Sequence, residues 1–369
     1  MSAEDASRVA EALCDDLITQ GPRVAEFEDA MATYLGASHV VAFANGTAAL
    51  HGAAFASGLG PGDEAITSPI SFAASANCIV YQAARPRFVD ISPATWNLDT
   101  ARAAAAVSDS TRAVIAVSFA GLPVDLTPLA GAPDRVIVIE DAAHALGARR
   151  GEGMVGGAGG ADMTTFSLHP VKAITTGEGG LVSTEDDELA RRLRMFRTHG
   201  MTKEGVTRSA IDGDWYHEMQ ALGFNYRITD FQCALGLSQL RRLDDFVARR
   251  NLIAARYREL LADERGVALP PAAADGDLHA YHLFVVGVQG GPAVRLAVFD
   301  ALRRAGIGVQ VHYIPIYRHP YYRDVVGSPQ DECPAAEDYY AGAISLPMFP
   351  GMSDADVERV VAELRTAVP

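Results

Sequence analysis

The sequence FSLHPVKAITTGEGG, at residues 166–180, changes from an apolar run typical of a strand into a glycine-rich loop. It contains Lys172, one of only two lysines among the 31 lysine and arginine residues of the chain. An arginine side chain stays protonated near neutral pH, whereas a lysine amine that is removed from water can lose its proton and attack a carbonyl group. We therefore predict that Lys172 is a nucleophile and that Lys203, in a polar stretch, is an ordinary exposed charge.

Short apolar segments alternate with helical patterns over the first part of the chain. The strand-like runs lie at residues 40–43, 87–91, 114–117 and 136–139. This spacing predicts βαβ units and a mostly parallel sheet, which is an α/β fold. Open sheets of this class bind ligands at the carboxyl edge of their strands. Acidic residues follow two of the strands there, namely Asp90 and Glu140-Asp141.

The chain is predicted to divide into a large domain at residues 1–250 and a small C-terminal α+β domain at residues 251–369. One long helix over residues 230–262 is expected to lead out of the first domain. The expected elements of the second domain are a strand near 282–288, a helix near 293–305, a strand near 309–313 and a final helix whose N-cap is Ser353.

Composition excludes several classes of protein. With 49% hydrophobic and 21% charged residues the chain is globular, and its net charge of −15 argues against a nucleic-acid partner. The four cysteines lack disulfide or zinc spacing, and the N-terminus lacks the pattern of a signal peptide, so we expect a cytoplasmic protein. The uncharged residues 65–84 include too many polar side chains for a membrane span, and a buried strand-turn-helix is expected there.

Two short motifs each allow a plain and a functional interpretation. Gly46-Thr47-Ala48 follows the first strand and opens a helix, so it is either a simple N-cap or a phosphate site formed by backbone N–H groups and the Thr47 hydroxyl. Asp141, after a very apolar strand, is either a capping residue or a buried acid paired with a ligand cation such as a protonated pyridine nitrogen. Taken singly, neither motif decides between its two interpretations.

Two other motifs favour structural roles. Residues 151–156 match G-x-G-x-x-G, but no helical pattern follows as a dinucleotide-binding fold requires, so a hairpin or loop is predicted. His279 and His282 have the spacing of metal ligands without a third ligand nearby in the sequence. We interpret them as core or surface histidines and predict no metal site.

The functional interpretations support one another. A phosphate-binding turn, an acid after a later parallel strand, and a lysine before glycines are the three features that pyridoxal phosphate requires. With these motifs the sequence resembles the DegT/DnrJ/EryC1/StrS family, the sugar aminotransferases among fold-type I pyridoxal-phosphate enzymes. Further matching segments are Thr19-Gln20-Gly21, Phe27-Glu28, residues 46–50, residues 60–64, residues 140–144, residues 223–227, His312-Tyr313 and residues 345–348.

The resemblance implies pyridoxal 5′-phosphate as the cofactor, with Lys172 bonded to it and Asp141 paired with its pyridine nitrogen. It also implies that Asn225 reaches the phosphate from the neighbouring subunit, which requires a homodimer with shared active sites. The remaining cofactor residues that it implies are His144 near the phenolic oxygen, Phe72 stacked on the ring, and Gly46, Thr47 and Ser167 at the phosphate.

Within the family, residues 67–77, 169–180, 234–240, 310–317 and 336–340 are most similar to the branch that acts in pseudaminic acid biosynthesis. This implies transfer of an amino group from glutamate to C4 of a UDP-4-keto-6-deoxy-N-acetyl-hexosamine. The residues implied at the nucleotide sugar are Asp16, Thr19, Gln310, His312 and Tyr313. Two alternatives are a sister enzyme acting on another UDP- or dTDP-keto-sugar and a non-enzymatic sensor built on the same fold.

Overall fold

The computed structural model describes residues 1–203, 213–327 and 329–369. The helices are α1 (Ala3–Ala12), α2 (Pro22–Leu35), α3 (Gly46–Ala56), α4 (Ala74–Tyr81), α5 (Thr100–Ala106), α6 (Asp187–Arg197), α7 (Asp230–Leu240), α8 (Leu243–Leu261), α9 (Gly291–Arg304), α10 (Pro320–Val326), α11 (Pro334–Gly342) and α12 (Asp354–Ala367). The strands are β1 (His39–Phe43), β2 (Glu64–Thr67), β3 (Arg85–Phe88), β4 (Thr111–Val117), β5 (Ile137–Asp141), β6 (Arg149–Arg150), β7 (Gly153–Met154), β8 (Met163–Ser167), β9 (Gly180–Thr184), β10 (Met201–Thr202), β11 (Glu218–Met219), β12 (Val267–Ala268), β13 (Phe284–Val288) and β14 (Ala343–Leu346).

A seven-stranded sheet in the order β1-β9-β8-β5-β4-β2-β3 forms the centre of the molecule. The pairs from β8 to β3 are all parallel, whereas β9 runs antiparallel to both of its neighbours. The predicted α/β fold with a mostly parallel sheet is therefore confirmed. Because β1, β2, β4, β5 and β8 run in the same direction, their carboxyl ends meet at one edge.

Small residues bring helix α3 close to the sheet. Five of its 11 residues are alanine, and Ala49, Ala53 and Ala54 are fully buried. A Cβ atom at Gly52 would lie only 2.8 Å from the Phe43 ring, so a larger residue has no room there. This packing fixes the N-terminus of α3 at the carboxyl edge of the sheet.

Two acidic residues predicted at that edge have structural roles. The strand expected at residues 87–91 ends at Phe88, and the buried Asp90 accepts hydrogen bonds from the backbone N–H groups of Ala335 and Ala336 at 3.0 Å. Glu140 is also buried, and its carboxylate binds the Arg150 guanidinium at 3.1 Å. Of the three acids predicted at this edge, Asp141 is the one left for a ligand.

The single helix predicted over residues 230–262 is wrong, because the chain forms α7 and α8 with a break at Arg241 and Arg242. Arg242 leaves the helical conformation, with φ −114° and ψ 4°. Its guanidinium binds the buried carboxylate of Asp5 at 2.7 Å, which ties the break to helix α1. The periodicity of residues within this segment cannot indicate a contact with a residue so distant in sequence.

The C-terminal part contains an antiparallel sheet of β12, β13 and β14. The predicted strand near 282–288, the helix near 293–305 and the final helix capped by Ser353 are confirmed as β13, α9 and α12. The strand predicted near 309–313 is wrong, since only Gln310 makes a bridge, to Ser345. Beyond it, the His312 carbonyl accepts a hydrogen bond from the Tyr339 hydroxyl instead of from another strand.

Helix α8 contributes to two hydrophobic cores. Leu243 and Val247 pack in a cluster beside the large sheet, whereas Ile253 and Tyr257 pack in the C-terminal cluster. This change of partners supports the domain limit near residue 250, which stays a prediction. Between the two halves, the buried Arg250 donates hydrogen bonds to the backbone carbonyls of Tyr281 (3.1 Å), His282 (3.3 Å) and Met348 (3.0 Å).

Three shorter segments have the local structures that the sequence predicts. Residues 65–84 contain β2 and the buried helix α4, as predicted, and residues 151–156 belong to the β6–β7 hairpin rather than to a dinucleotide site. His279 is a core histidine whose Nδ1 accepts a hydrogen bond from the Tyr281 N–H at 2.8 Å. Across the described ranges, no group of three potential metal ligands comes together, and no helix is long and apolar enough to cross a membrane.

Candidate active site

A cavity of about 840 Å³ opens at the carboxyl edge of the large sheet. One wall comes from the loops that follow β1, β2, β5 and β8, and the opposite wall comes from residues 312–313 of the C-terminal part. The predicted site residues that line it are Gly46, Thr47, Phe72, Asp141, His144, Ser167, Lys172, His312 and Tyr313. Residues far apart in sequence, predicted for one site, thus lie around one cavity.

The N-terminus of α3 and Ser167 form one end of this cavity. Asn45 caps the helix by accepting a hydrogen bond from the Ala48 N–H at 2.9 Å, and this leaves the first N–H groups of the helix directed outward. A Cβ atom at Gly46 would lie 2.9 Å from the Cβ of Ser167, so only glycine allows this close approach. Backbone N–H groups at the positive end of a helix, together with hydroxyl groups, suit a phosphate.

Lys172 lies in the loop after β8, where its backbone N–H closes a turn by donating to the His169 carbonyl at 2.9 Å. Burial lowers the pKa of the amine from 10.5 to about 8, although the nearby Asp141 carboxylate opposes the change. Such an amine is neutral in an appreciable fraction of molecules near physiological pH, as a nucleophile or a base requires.

Asp141 ends strand β5 and is 4% exposed. One carboxylate oxygen accepts a hydrogen bond from the Ser75 hydroxyl at 2.6 Å, and the other accepts from the Ala143 N–H at 3.1 Å. Burial raises the pKa of Asp141 in spite of these donors and of Lys172. A buried carboxylate that faces a cavity is stabilised by a cationic ligand, so the functional interpretation of Asp141 fits the geometry, while the Ala143 contact also makes it a local turn former.

His144 lies deep on the same side of the cavity. Its Nδ1 accepts a hydrogen bond from the Ala120 N–H at 3.3 Å, and its Nε2 lies 3.2 Å from the Tyr313 hydroxyl. The ring of His282 packs against it with a centroid distance of 4.3 Å. Burial keeps the pKa of His144 well below its usual value, so the imidazole is neutral.

Sequence reasoning missed Ser71, Ser75 and Tyr226. The Ser71 and Ser75 hydroxyls lie 2.6 Å apart, and Ser75 orients the Asp141 carboxylate. Their spacing of four residues, with Ser71 before α4 and Ser75 within it, was the available signal, but nothing local indicates that Ser75 meets strand β5. Tyr226 lines the cavity, and its hydroxyl lies 3.2 Å from His51 Nδ1.

Four predicted residues do not line this cavity within the described part of a single chain. Asn225 is exposed and forms a backbone bridge with Thr198. Asp16 and Thr19 are exposed near the N-terminus, and Gln310 accepts a hydrogen bond from the neighbouring Val311 N–H. Their roles stay predictions. The second lysine, Lys203, is exposed as predicted and donates to the Asp214 carbonyl at 2.9 Å.

The residues present fit pyridoxal 5′-phosphate. The site combines a lysine with a lowered pKa, a buried carboxylate and a helix N-terminus with neighbouring hydroxyl groups. These suit the aldehyde, the ring nitrogen and the phosphate of the cofactor, respectively. Phe72, which is 61% exposed at the cavity wall, offers a flat apolar face for the ring.

Comparison with known proteins agrees with this geometry. The model of the DegT/DnrJ/EryC1/StrS aminotransferase family matches residues 1–365. SpsC of Bacillus subtilis, described as a spore coat polysaccharide biosynthesis protein, is 40% identical over 99% of this chain and 94% of its own length.

Among solved structures, Helicobacter pylori PseC is described as an aminotransferase involved in the biosynthesis of pseudoaminic acid. It superposes with a TM-score of 0.90 at 29% identity, over 100% of this chain and 97% of its own. The PMP-form of the putative sugar aminotransferase Spr1654 from Streptococcus pneumoniae has a TM-score of 0.92 at 27% identity, over 100% and 97% of the two chains.

Proposed function

This chain belongs to the DegT/DnrJ/EryC1/StrS aminotransferase family, and from that premise we propose that it transfers an amino group from glutamate to C4 of a UDP-4-keto-6-deoxy-N-acetyl-hexosamine. The chain is a pyridoxal-phosphate-dependent sugar aminotransferase, and the nucleotide, the sugar and the donor are the proposed part. One observation carries the proposal. Lys172, Asp141 and the phosphate-type turn at Gly46 surround a cavity that continues to His312 and Tyr313.

Pyridoxal 5′-phosphate, when bound, supplies an electron sink for the carbon that loses a proton. The protein contributes the charges around it. Asp141, held by Ser75 and Ala143, presents a carboxylate that would keep a proton on the ring nitrogen. The N-terminus of α3 and the Ser167 hydroxyl would hold the phosphate at the other end of the cavity.

Lys172 has the role of the mobile base. Its amine lies in the same cavity as Asp141, and its pKa of about 8 lets it accept and release a proton near neutral pH. In the first half of the reaction it would move a proton from the donor carbon to the cofactor carbon that carries the transferred nitrogen, and in the second half it would move a proton from that carbon to C4 of the sugar. Burial keeps water away from this proton and favours its return to substrate.

The wall opposite Lys172 suits an uncharged sugar ring that carries keto, hydroxyl and acetamido groups. Burial lowers the pKa of His312 to about 4, so its imidazole is neutral, and Ser345 lies 2.8 Å from its Nδ1. Tyr313 adds a hydroxyl and an aromatic face, and Phe72 lies with its ring centroid 6.2 Å from that of Tyr313. Neutral polar groups between aromatic rings are typical of sites that select sugars by shape and hydrogen bonding.

The proposed shared site of a homodimer is supported by the surroundings of Asn225. The neighbouring side chains Leu222 and Phe224 are 75% and 38% exposed, and Trp215 is 74% exposed. Large apolar side chains grouped on a surface indicate a protein contact. In a dimer, the exposed Asn225 would then serve the phosphate of the other subunit.

Mixed dimers test this arrangement. Lys172→Ala and Asn225→Ala are each expected to be inactive alone. A hybrid of the two carries both defects in one site and leaves the other site intact, so activity should return when they are refolded together. Hybrids that form normally but stay inactive, or an active Asn225→Ala homodimer, would show that the site is not shared.

A second candidate is a sister activity on a different keto-sugar, because SpsC, named for spore coat polysaccharide biosynthesis, is more similar in sequence than PseC. Product analysis by NMR separates the two candidates. The purified holoenzyme is incubated with glutamate and a panel of UDP- and dTDP-4-keto sugars, with Lys172→Ala as the control. We expect a 4-amino-4,6-dideoxy-N-acetyl-hexosamine nucleotide and one 2-oxoglutarate per turnover. Turnover of dTDP sugars alone would support the sister activity, and no amino product from any sugar would contradict both.

A further inference from the structure

Both ring nitrogens of His144 already have partners within the protein. Nδ1 accepts from the Ala120 N–H at 3.3 Å, and Nε2 faces the Tyr313 hydroxyl at 3.2 Å. The His282 ring packs at a centroid distance of 4.3 Å and the Phe119 ring at 6.0 Å, so the imidazole cannot turn to bind elsewhere. His144 therefore has no free N–H group to offer a ligand.

The backbone fixes where the protons lie in this chain of hydrogen bonds. The Ala120 N–H can only donate, so the Nδ1 of His144 must be the unprotonated nitrogen. The ring is neutral, and its single proton is consequently on Nε2. This N–H donates to the Tyr313 oxygen, which leaves the hydroxyl hydrogen of Tyr313 directed away from His144.

We propose that Tyr313 is a hydrogen-bond donor to a ligand oxygen in the cavity, and that His144 is the positioning residue that fixes the direction of that donor. The resemblance to the family implied that His144 itself lies at the phenolic oxygen of the cofactor. The geometry assigns the donation to Tyr313 instead, because Tyr313 has a proton to give and lines the same cavity as Lys172.

The acceptor is an oxygen close to the reacting atoms, which is either the carbonyl or hydroxyl oxygen of the keto-sugar or the phenolic oxygen of the cofactor. The first source rests on the proposed function, and the second does not. The backbone next to Tyr313 is held in place, since the Tyr339 hydroxyl donates a hydrogen bond to the carbonyl of the preceding residue, His312. A donor held in this way stabilises negative charge on oxygen without reorganising during the reaction.

The tautomer of His144 is tested without substrate and without turnover. In protein labelled with ¹⁵N-histidine, we expect one buried ring with a pyridine-type Nδ1 and a protonated Nε2, assigned by its loss in His144→Gln. The Nε2 resonance should shift in Tyr313→Phe, because the acceptor of its proton is removed. An Nδ1-protonated or doubly protonated ring, or a resonance unchanged by Tyr313→Phe, would overturn the proposal.

The two acceptor oxygens are separated by measuring the two half-reactions of the holoenzyme, with whichever keto-sugar it turns over. If Tyr313 donates to the sugar, Tyr313→Phe should slow the sugar half-reaction by about 100-fold and leave the glutamate half-reaction within about threefold. If it donates to the cofactor, both half-reactions should slow and the visible absorption of the resting enzyme should change. A variant with neither effect would refute the donor role.

Control variants separate a positioning role of His144 from a role in packing alone. Tyr34→Phe removes a hydroxyl that binds Asp244 on the surface and should leave both half-reactions unchanged. His144→Gln keeps an acceptor for Ala120 and an N–H donor for Tyr313, so it should retain activity within about fivefold, whereas His144→Leu should behave like Tyr313→Phe. Equal losses in the glutamine and leucine variants would mean that the ring only fills space, and would contradict the positioning role.

Discussion

The side chain of Lys172 is expected to titrate far below an ordinary lysine, and competitive acetylation of the cofactor-free enzyme measures this. Burial lowers the pKa of its amine to about 8. At pH 7 a lysine with a pKa of 10.4 is neutral in roughly 0.04% of molecules, whereas a pKa of about 8 gives roughly 9%. The neutral, reactive fraction is therefore about 200-fold larger than in an ordinary lysine.

The assay uses trace acetic anhydride between pH 6 and pH 11, followed by mass spectrometry of the two lysine-containing peptides. Lys203 is exposed and serves as the internal reference in the same digest. Labelling of Lys172 should rise with a midpoint near pH 8. In Asp141→Asn the midpoint should fall further, because the carboxylate raises the pKa of the amine.

A midpoint above pH 10 in the wild-type enzyme, or the same midpoint in Asp141→Asn, would refute this account of the Lys172 amine. The lowered pKa of Lys172 also determines how the free energy of unfolding changes with pH. Between about pH 8 and pH 10.5, the unfolded chain binds a proton at Lys172 that the folded chain does not. The free energy of unfolding of the cofactor-free enzyme should therefore rise with pH across this range.

Two further substitutions test the framework of the site. Arg150→Met leaves the buried Glu140 without its cation and should lower the free energy of unfolding by about 3–5 kcal/mol at pH 8. The loss should be smaller at pH 5.5, where Glu140 can protonate, and an equal loss in urea denaturation at both values would contradict an ionic origin. Gly46→Ala places a methyl group 2.9 Å from Ser167 Cβ and should weaken cofactor binding at least tenfold in an absorbance titration. Gly60→Ala, which projects into open space, is the control, and equal affinity in both variants would rule out the steric argument.

The sequence predicts residues that lie together at one end of the cavity, because the signals for them are local patterns. Lys172 is conspicuous as one of two lysines in a chain with 31 lysine and arginine residues, and Gly46-Thr47 follows a strand and opens a helix. Asp141 ends an apolar strand, and parallel strands bring such ends to one edge. Each of these signals is contained in a stretch of a few consecutive residues.

The parts of the fold and of the cavity that the sequence does not predict depend on contacts between distant segments. The break between α7 and α8 occurs at two arginines, which are good helix formers, and Arg242 is held by Asp5, 237 residues away. The hydrogen bond between His144 and Tyr313 joins residues 169 apart, so no local pattern indicates it. Residues 309–313 have the composition of a strand, but their hydrogen bonds go to the side chains and backbone around the cavity.

The buried Arg250 restrains the cavity as a whole. It lies in α8 where the packing changes from the large sheet to the C-terminal cluster, and it binds three backbone carbonyls beyond that point. Moving the C-terminal part away from Arg250 would break all three hydrogen bonds of this buried guanidinium. Arg250 thus opposes hinge motion at helix α8. With this restraint we expect the cavity to keep its width while the amino donor and the sugar exchange, so that its shape limits which substrates bind.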